Sequence, residues 1–398
     1  MSPVNRTSPT ALDPPVIAEG LFSYELGGSE RVGADLALEC MRRGYRVVCF
    51  AFYGSNGPIR RELEGAGVEC FDMNYLRRTR FVRRFTHRMA LTHFFRRERV
   101  RVAHIHHCTS LILGARAARS AGVPRIVLTE HSIRELETMP SYRAQSEKAC
   151  RIADAITVVH PSLEDFFVSS LQVSPTKLRY IPNGVRLQSL DAVRRAELRE
   201  SLGVRSEEFL WMFAGRLAAV KDLGTLIRAF ATTRERTDKP LRLILIGSGG
   251  EHDALKALVR SLALDSTVSL LGPRTDVPSL LTAADGFAMS SVSEGLPMVL
   301  LEAMAARVPC VATAVGGIPA LFAGGAGILA PAQSPGALAE AMVAVVENPS
   351  QRARMLDAAF QRVREANDLE RVVDRYLDVF GLSPRWGSER AEHPLLRG

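Results

Sequence analysis

The chain has 398 residues, 46% of them hydrophobic and 24% charged, with a net charge of +8. This composition is typical of a soluble globular protein, and the length predicts two or three domains. No run of about 18 apolar residues is present, which argues against a membrane span. The polar, Pro-rich N-terminus argues against secretion, and the six cysteines lack the close pairs of a zinc or redox site. We therefore expect a cytoplasmic protein with reduced thiols.

In the first half of the chain, short apolar runs alternate with helical patterns such as 30–42 and 111–121. The predicted strands are 16–22, 45–52, 68–73, 100–106, 125–129, 155–159 and 178–181. Alternation of this kind is typical of parallel α/β sheets.

After a charged segment at 191–208 the same alternation restarts. The predicted strands are 209–214, 241–246, 268–271, 286–289 and 309–314, and the last predicted helices are 335–347, 350–365 and 369–380. The pattern predicts two successive doubly wound α/β domains, at 16–190 and 191–365, followed by a helix at 366–381. We expect flexible ends at 1–15 and 382–398.

The net positive charge is concentrated between residues 76 and 102, where arginines alternate with aromatic residues. One interpretation is a surface helix whose aromatic stripe packs on the core. The other is a basic amphipathic element on an anionic membrane, in which each arginine contributes about 1 kcal/mol. Its face would be formed by Arg77, Arg80, Arg83, Arg84 and Arg88. Nucleic acid is not an expected partner, because no nucleic-acid motif accompanies the basic run.

In the second domain, three predicted strands end in residues suited to an anionic ligand. The first ends in Gly215–Arg216 and is followed by Lys221, and the next ends in a turn that contains Gly247 and Gly249. Glycines let backbone N–H groups approach a phosphate closely, and the two cations suit a diphosphate. Because ligands of open α/β sheets bind outside the carboxyl ends of the strands, these turns should share one edge.

The third strand end leads into the segment that contains Glu294, Gly295, Leu296, Pro297 and Glu302. We expect Pro297 at the first helical position, which places Glu294 on the loop and Glu302 inside the helix. Carboxylates beside a helix N-terminus suit a ligand that carries both hydroxyls and phosphates. The segment therefore suggests a nucleotide sugar.

The first domain offers two further candidates. Gly27 and Gly28 form a turn between the first predicted strand and its helix, and we expect this turn to face a cleft between the domains. His131 follows the strand at 125–129, and its place at the carboxyl end of a strand favours a functional role over a structural one.

With these residues placed, the chain resembles the retaining glycosyltransferases of family 4. The resemblance rests on the segments 27–30 (Gly-Gly-Ser-Glu), 129–132 (Thr-Glu-His-Ser), 181–185, 213–222 and the E-x7-E pair at 294 and 302. It implies a GT-B fold, with two Rossmann-like domains facing a central cleft. It also implies a nucleotide-diphosphate sugar held by the second domain, an acceptor held by the first, and a last helix that crosses back.

The resemblance implies roles for the candidate residues. Arg216 and Lys221 would hold the donor diphosphate, Glu302 the ribose and Glu294 the sugar, with His131 near the reacting face. The remaining donor-binding positions would be Gly27, Gly28, Gly215, Gly247, Gly249, Gly295 and Leu296. The family normally works without a metal, and we expect neither a metal nor another cofactor. In one departure, Arg307 stands where the family usually has glycine.

The resemblance implies transfer of a hexose to an acceptor hydroxyl with retention of configuration. A UDP-sugar is the expected donor because such donors are frequent in the family. We expect a glycan precursor or a lipid-linked acceptor in cell-surface glycan synthesis, reached from the inner face of the cytoplasmic membrane. Two alternatives stay open. One is another GT-B enzyme, such as a nucleotide-sugar 2-epimerase or a phosphorylase, and the other is a non-catalytic paralogue that binds nucleotide sugars.

Overall fold

A computed structural model describes residues 13–53, 56–73, 80–131, 134–188 and 191–382, without the side chains of 80–86, 108–111, 134–135 and 162. The chain divides into two compact units. Unit 1 contains the residues up to Pro182 and those from Val372 onward, and unit 2 runs from Asn183 to Arg371. Unit 1 thus ends before residue 190, and the chain returns to it at Val372 rather than at residue 366.

Unit 1 is built on a seven-stranded parallel sheet with the strand order β3-β2-β1-β4-β5-β6-β7. The strands are β1 (Val16–Ser23), β2 (Arg46–Tyr53), β3 (Glu69–Asp72), β4 (Val100–His106), β5 (Arg125–Glu130), β6 (Ala155–Val158) and β7 (Leu178–Tyr180). The helices are α1 (Gly28–Arg42), α2 (Pro58–Gly65), α3 (Arg80–Arg97), α4 (Cys108–Ala121), α5 (Arg134–Thr138), α6 (Pro140–Ile152) and α7 (Pro161–Ser169). The inner strands are buried along almost their whole length, as expected of a parallel sheet covered on both faces.

Unit 2 is built on a six-stranded parallel sheet with the order β10-β9-β8-β11-β12-β13. Its strands are β8 (Phe209–Ala214), β9 (Leu241–Ile246), β10 (Val268–Leu270), β11 (Gly286–Met289), β12 (Cys310–Thr313) and β13 (Ile328–Ala330). Its helices are α8 (Ala192–Ser201), α9 (Leu223–Glu235), α10 (His252–Ser261), α11 (Val277–Leu281), α12 (Met298–Ala305), α13 (Ile318–Leu321), α14 (Pro335–Glu347) and α15 (Pro349–Arg362). The two sheets confirm the predicted pair of doubly wound α/β domains.

The last helix, α16 (Leu369–Phe380), starts in unit 2 and packs on unit 1. It buries an apolar face at the helical spacing of Val372, Tyr376 and Phe380. On the side of unit 1, Arg125 Nε donates a hydrogen bond of 2.8 Å to the carbonyl of Val379, and Arg43 forms an ion pair with Asp374. The helix is therefore an integral part of unit 1.

Candidate functional site

The ends of β9, β8 and β11 lie side by side in unit 2, because these three strands are neighbours in the sheet. The turns after β8 and β9 are joined by backbone hydrogen bonds, from Gly215 N to Ile246 O at 2.9 Å and from Leu217 N to Ser248 O at 2.8 Å. A Cβ on Gly247 would lie 1.8 Å from the carbonyl oxygen of Gly215, and its φ is +142°. Only glycine fits there, so the approach of the two turns depends on this residue type.

Lys221 ends a 3-10 turn (Ala219–Lys221) that follows β8 and precedes α9. Its Nζ lies 2.5 Å from Glu294 Oε1, with the side chains 18% and 9% exposed. The hydroxyl of Ser291 donates to the same Glu294 oxygen at 2.5 Å. Sequence segments 73 residues apart therefore meet in one charged contact beside the strand ends.

Hydrogen bonds join the Glu294 loop to two neighbouring segments. The hydroxyl of Ser290 lies 2.9 Å from the carbonyl of Lys221, and Val292 N donates to Val220 O at 2.9 Å. Gly317 N, at the start of α13, donates to the carbonyl of Gly295 at 2.9 Å. These contacts hold the loop between α13 and the turn that carries Lys221.

The helix after this loop begins one residue later than predicted. Pro297 is the N-cap residue of α12, not its first helical residue. The prediction for the two carboxylates is unaffected, because Glu294 lies on the loop and Glu302 lies inside the helix. Gly295 is exposed and Leu296 is half-buried immediately before the helix.

Arg216 follows directly after Gly215, and its side chain is exposed. Among the described residues, no hydrogen bond or ion pair engages its guanidinium. Arg216 and Lys221 thus add two cations to the edge that carries Glu294 and the glycine turns. Such an edge can hold a ligand with phosphate and hydroxyl groups.

In unit 1, Gly27 is the N-cap residue of α1, and Gly28 is the first residue of that helix. A Cβ on Gly28 would meet no atom within 4 Å. His131 follows β5 and is half-buried. Within the described residues, no hydrogen bond joins His131 to the Gly27–Gly28 turn, although both belong to unit 1.

His131 does belong to a buried polar cluster that the sequence did not predict. Its Nε2 lies 2.8 Å from Nδ1 of His106, and Nε2 of His106 is hydrogen-bonded to Glu19 Oε1. The second oxygen of Glu19 accepts from Nδ1 of His104 at 3.1 Å. Glu19, His104 and His106 are all almost completely buried.

The electrostatics of this cluster favour an ionised Glu19 beside neutral His106 and His131 rings. Burial opposes ionisation of Glu19, but the adjacent His104 and His106 rings lower its pKa to about 2. Burial, together with the neighbouring His104, lowers the pKa of His106. Burial and the nearby histidines hold the pKa of His131 well below its usual value. His131 and His106 are therefore neutral at neutral pH.

The basic segment is only partly described. Leu91, Phe94 and Phe95 of α3 are buried in the core of unit 1, as the packing interpretation predicts. Arg97 is exposed and forms an ion pair of 2.8 Å with Glu69, and Arg88 is half-buried. The side chains of Arg77, Arg80, Arg83 and Arg84 lie outside the described part, so their membrane-facing role stays a prediction. Among the described helices, none has the length and apolar character needed to span a bilayer.

Two family models match the chain one after the other. The model described as Glycosyltransferase Family 4 matches residues 26–189, and the model described as Glycosyl transferases group 1 matches residues 194–362. The D-inositol 3-phosphate glycosyltransferase of Pseudarthrobacter chlorophenolicus is 32% identical over 281 residues, which are 67% of each chain. The chain belongs to the family 4 glycosyltransferases.

Other family 4 glycosyltransferases and solved structures are also similar to the chain. The Escherichia coli UDP-Gal:alpha-D-GlcNAc-diphosphoundecaprenol alpha-1,3-galactosyltransferase is 27% identical over 271 residues, covering 66% of this chain and 70% of that one. The structure of Anabaena HepE in complex with UDP-glucose matches with a TM-score of 0.79 at 22% identity, covering 92% and 99% of the two chains. The latter likeness supports the GT-B fold.

Two signals in this family 4 chain could have revealed the buried cluster. Glu19 is a carboxylate within an otherwise apolar strand, and His104 and His106 are two residues apart in another. Alternate residues of a strand share one face of the sheet. What the sequence could not supply is the pairing of β1 with β4, which places Glu19 opposite His104.

Proposed function

We propose that this glycosyltransferase moves a hexose from a UDP-sugar to an acceptor hydroxyl, with retention at the anomeric carbon and without a metal ion. The single observation that carries the proposal is the contact between Lys221 and Glu294 at the strand ends of unit 2. It puts a cation for a diphosphate next to a carboxylate for sugar hydroxyls. A UDP donor is supported by the galactosyltransferase named for UDP-Gal and by HepE, which was solved with UDP-glucose.

Each site residue has a proposed task in donor binding. Arg216 and Lys221 neutralise the diphosphate, and Glu302 accepts hydrogen bonds from the ribose diol. Glu294 accepts from the transferred sugar, while backbone N–H groups of Gly295 and Leu296 donate to it. The glycine positions in the turns, Gly215, Gly247 and Gly249 in unit 2 and Gly27 and Gly28 in unit 1, leave room for the phosphates.

The proposed chemistry needs no dedicated protein base. As the bond to the diphosphate breaks, an oxocarbenium-like centre forms, and the two cations stabilise the departing negative charge. The leaving phosphate oxygen takes the proton of the acceptor hydroxyl as the new glycosidic bond forms. His131 contacts the transferred sugar in this proposal. The cations Arg216 and Lys221 supply the charge that a metal would supply, which supports a metal-independent reaction.

The decisive variant is Lys221→Ala, with Lys256→Ala as its control, because Lys256 is an exposed lysine on α10 of the same unit. Loss of a cation that stabilises the leaving group should lower kcat by about 10²–10³, and the control should keep wild-type activity. The donor is first found by a thermal-shift screen of nucleotide sugars, since a ligand that binds only the folded state raises its stability.

Three results would contradict the proposal. Wild-type kcat in Lys221→Ala would remove the assigned role of the cation. An inverted anomeric configuration in the NMR spectrum of the product would exclude retention. Loss of activity on treatment with EDTA, restored by a divalent cation, would exclude a metal-independent reaction. Release of an epimerised or phosphorylated sugar without an acceptor would instead identify another GT-B activity.

For the acceptor we propose a lipid-linked glycan precursor, reached at an anionic membrane through the basic segment around α3. The diphosphoundecaprenol substrate in the name of the E. coli relative supports this choice. Binding to phosphatidylglycerol vesicles should weaken with salt, and Arg83→Ser/Arg84→Ser should reduce it. Arg228→Ser/Arg234→Ser, an equal loss of charge from exposed positions of α9, should not. Vesicle binding that does not depend on salt concentration, or that falls equally in the two double variants, would refute the membrane role.

A further inference from the structure

A row of polar side chains crosses the middle of the sheet of unit 1. The strand register pairs Glu19 of β1 with His104 of β4, and His106 of β4 with Thr129 of β5. Because paired residues of parallel strands lie on the same face, these side chains share one face of the sheet. His131 follows β5 at the carboxyl end of this row. The row thus connects the buried interior of unit 1 to a candidate residue at the edge of the sheet.

The hydrogen bonds in the row have a defined direction. An ionised carboxylate can only accept, so Nε2 of His106 donates to Glu19 Oε1. A neutral imidazole carries one N–H, so Nδ1 of His106 must be an acceptor. The hydrogen bond of 2.8 Å between His106 and His131 is therefore donated by Nε2 of His131. This leaves Nδ1 of His131 as a bare lone pair, and no described residue is hydrogen-bonded to it.

We propose that Glu19 and His106 are positioning residues, which hold His131 as the neutral Nε2–H tautomer so that its Nδ1 accepts a hydrogen bond from a hydroxyl of the sugar substrate. The hydrogen bond on one ring nitrogen sets which form of the other is presented to a ligand. The proposal rests on the proposed function in one respect, namely that His131 contacts the transferred sugar. The tautomer itself follows from the hydrogen-bond geometry of unit 1 together with an ionised Glu19 and a neutral His106.

The packing around His106 supports a fixed ring. A Cβ on Gly33 of α1 would lie 3.3 Å from Nε2 of His106 and 2.4 Å from Cδ2 of Leu21, so the helix lies directly over the ring. The rings of His106 and His131 are stacked with centroids 5.1 Å apart and an interplanar angle of 18°. Both contacts restrict rotation of the His106 ring away from Glu19.

His104 provides a matched control within the same cluster. It is hydrogen-bonded to Glu19 through Nδ1, but its Nε2 lies 2.6 Å from Thr129 Oγ1 and forms no hydrogen bond with His131. It is as buried as His106 and lies two residues away on the same strand. If the cluster were only structural, loss of either histidine would have the same effect on His131. The hydrogen-bonded series Glu19–His106–His131, called the relay below, depends on His106 and not on His104.

Other titratable groups face the relay from the elements packed around it. Glu30 and Cys40 belong to α1, His107 follows β4, Glu130 ends β5, and Tyr376 belongs to α16. Burial raises the pKa of Tyr376 to about 12 and raises that of the Cys40 thiol as well. These two groups therefore stay neutral near neutral pH and do not compete with Glu19 as the anion of the relay.

The first experiment reads the tautomer of His131 without any substrate. Full-length protein with ¹⁵N-labelled histidine is studied by ¹H–¹⁵N correlation at neutral pH, and the His131 signals are assigned by their loss in His131→Gln. We expect a protonated Nε2 and a bare Nδ1 in the wild type and in His104→Gln. In Glu19→Gln and in His106→Gln the preference for Nε2–H should be lost. A wild-type His131 that is Nδ1–H or doubly protonated would overturn the proposal, even where a variant fails to fold.

The second experiment measures donor binding and turnover in the same variants. Groups that orient a metal-ligating histidine are typically worth a factor of about 10–100. We expect Glu19→Gln and His106→Gln, which act on His131 in the same way, to lower kcat by a similar factor. The donor Kd should change by less than about twofold, because Nδ1 is one acceptor among many contacts. Unchanged kcat in both variants, or an equal loss of kcat in His104→Gln, would overturn the positioning role. An inactive wild type with the expected tautomer would instead contradict the proposed function.

Discussion

Acid should destabilise unit 1 through the buried cluster of Glu19, His106 and His131. The pKa of each histidine is lowered from its usual 6.5 by burial, so the folded state excludes a proton that the unfolded chain binds. A group whose pKa is lower in the folded state than in the unfolded state contributes stability above its unfolded pKa. This stability is lost as the pH falls from the unfolded pKa towards the folded one. The loss should therefore begin near pH 6.5, well above the range in which carboxylates usually titrate.

The magnitude follows from proton counting. Below the unfolded pKa and above the folded one, each histidine lowers the free energy of unfolding by up to about 1.4 kcal/mol per pH unit. For His106 and His131 together the slope is up to about 2.7 kcal/mol per pH unit. Glu19 adds a second pH range in which the free energy of unfolding falls as the pH falls. Its pKa of about 2 against the usual 4.5 represents about 3 kcal/mol, which is lost as the pH falls between those two values.

Urea titrations followed by far-UV circular dichroism at pH values between about 8 and 5 measure this slope through the linear extrapolation of the free energy of unfolding. Trp211 is buried in unit 2, so in a Trp386→Phe background its fluorescence reports that unit separately. Below pH 6.5, His106→Gln should reduce the slope of the free energy of unfolding against pH by at least the contribution of one histidine. Above about pH 7.5 the slope should be unchanged. A free energy of unfolding of unit 1 that stays constant down to pH 5, or falls equally in His106→Gln, would refute the electrostatic account.

Two further predictions concern unit 2. Gly247→Ala should abolish the thermal shift caused by UDP, because the new Cβ would lie 1.8 Å from a backbone oxygen. Gly336→Ala, at an open position near the start of α14, should keep the shift. An equal shift in both variants would contradict this prediction. Arg307 has a φ of +54° and stacks on Phe360 with its Cζ 3.9 Å from the ring centroid. Arg307→Ala should lower the free energy of unfolding by about 0.5–1 kcal/mol through loss of this stacking. Arg307→Gly should lower it by less, because glycine relieves the left-handed strain. Equal losses in urea titrations would show that the backbone is unstrained.

The strands could be predicted because most are buried on both faces, which produces continuous apolar runs. The observed bounds of β4, β8, β9 and β11 agree with the predicted ones. β13 was not predicted, since it has three residues and its central Leu329 is exposed. A strand this short gives no periodic signal.

Helix α8 shows a different limit of prediction. None of its residues is fully buried, so the segment has no clear apolar stripe and its sequence indicates a charged interruption rather than a helix. The side chain of Asp191 caps its first turn by accepting from Val193 N and Arg194 N. Ion pairs from Arg195 and Arg199 to Asp285 hold the helix on unit 2. Its stability thus depends on a residue about ninety positions away, which a local pattern does not reveal.

The grouping of the donor-site candidates in unit 2 was predictable for a reason that does not apply to the cluster in unit 1. Parallel strands end at one edge, so residues after β8, β9 and β11 converge even when the strand order is only approximately known. Glu19 and His104 lie within their strands, where contact requires the register to be known to the residue. Strand patterns do not specify that register between segments 85 residues apart.

The energetics of the cluster favour a functional role over a structural one. A carboxylate buried among rings costs several kcal/mol of desolvation, and replacing a buried ionic group with well-packed apolar residues is often neutral or stabilising. The surrounding row could have been apolar, as it is at Ile17 and Leu21 of the same strand. Glu19 and His106 instead belong to a series of hydrogen-bonded side chains that ends at His131. Of these three residues, His131 lies at the edge of the sheet. His131 donates to His106 and His106 donates to Glu19, which leaves Nδ1 of His131 as the acceptor. Presentation of a fixed acceptor to a ligand requires support of this kind.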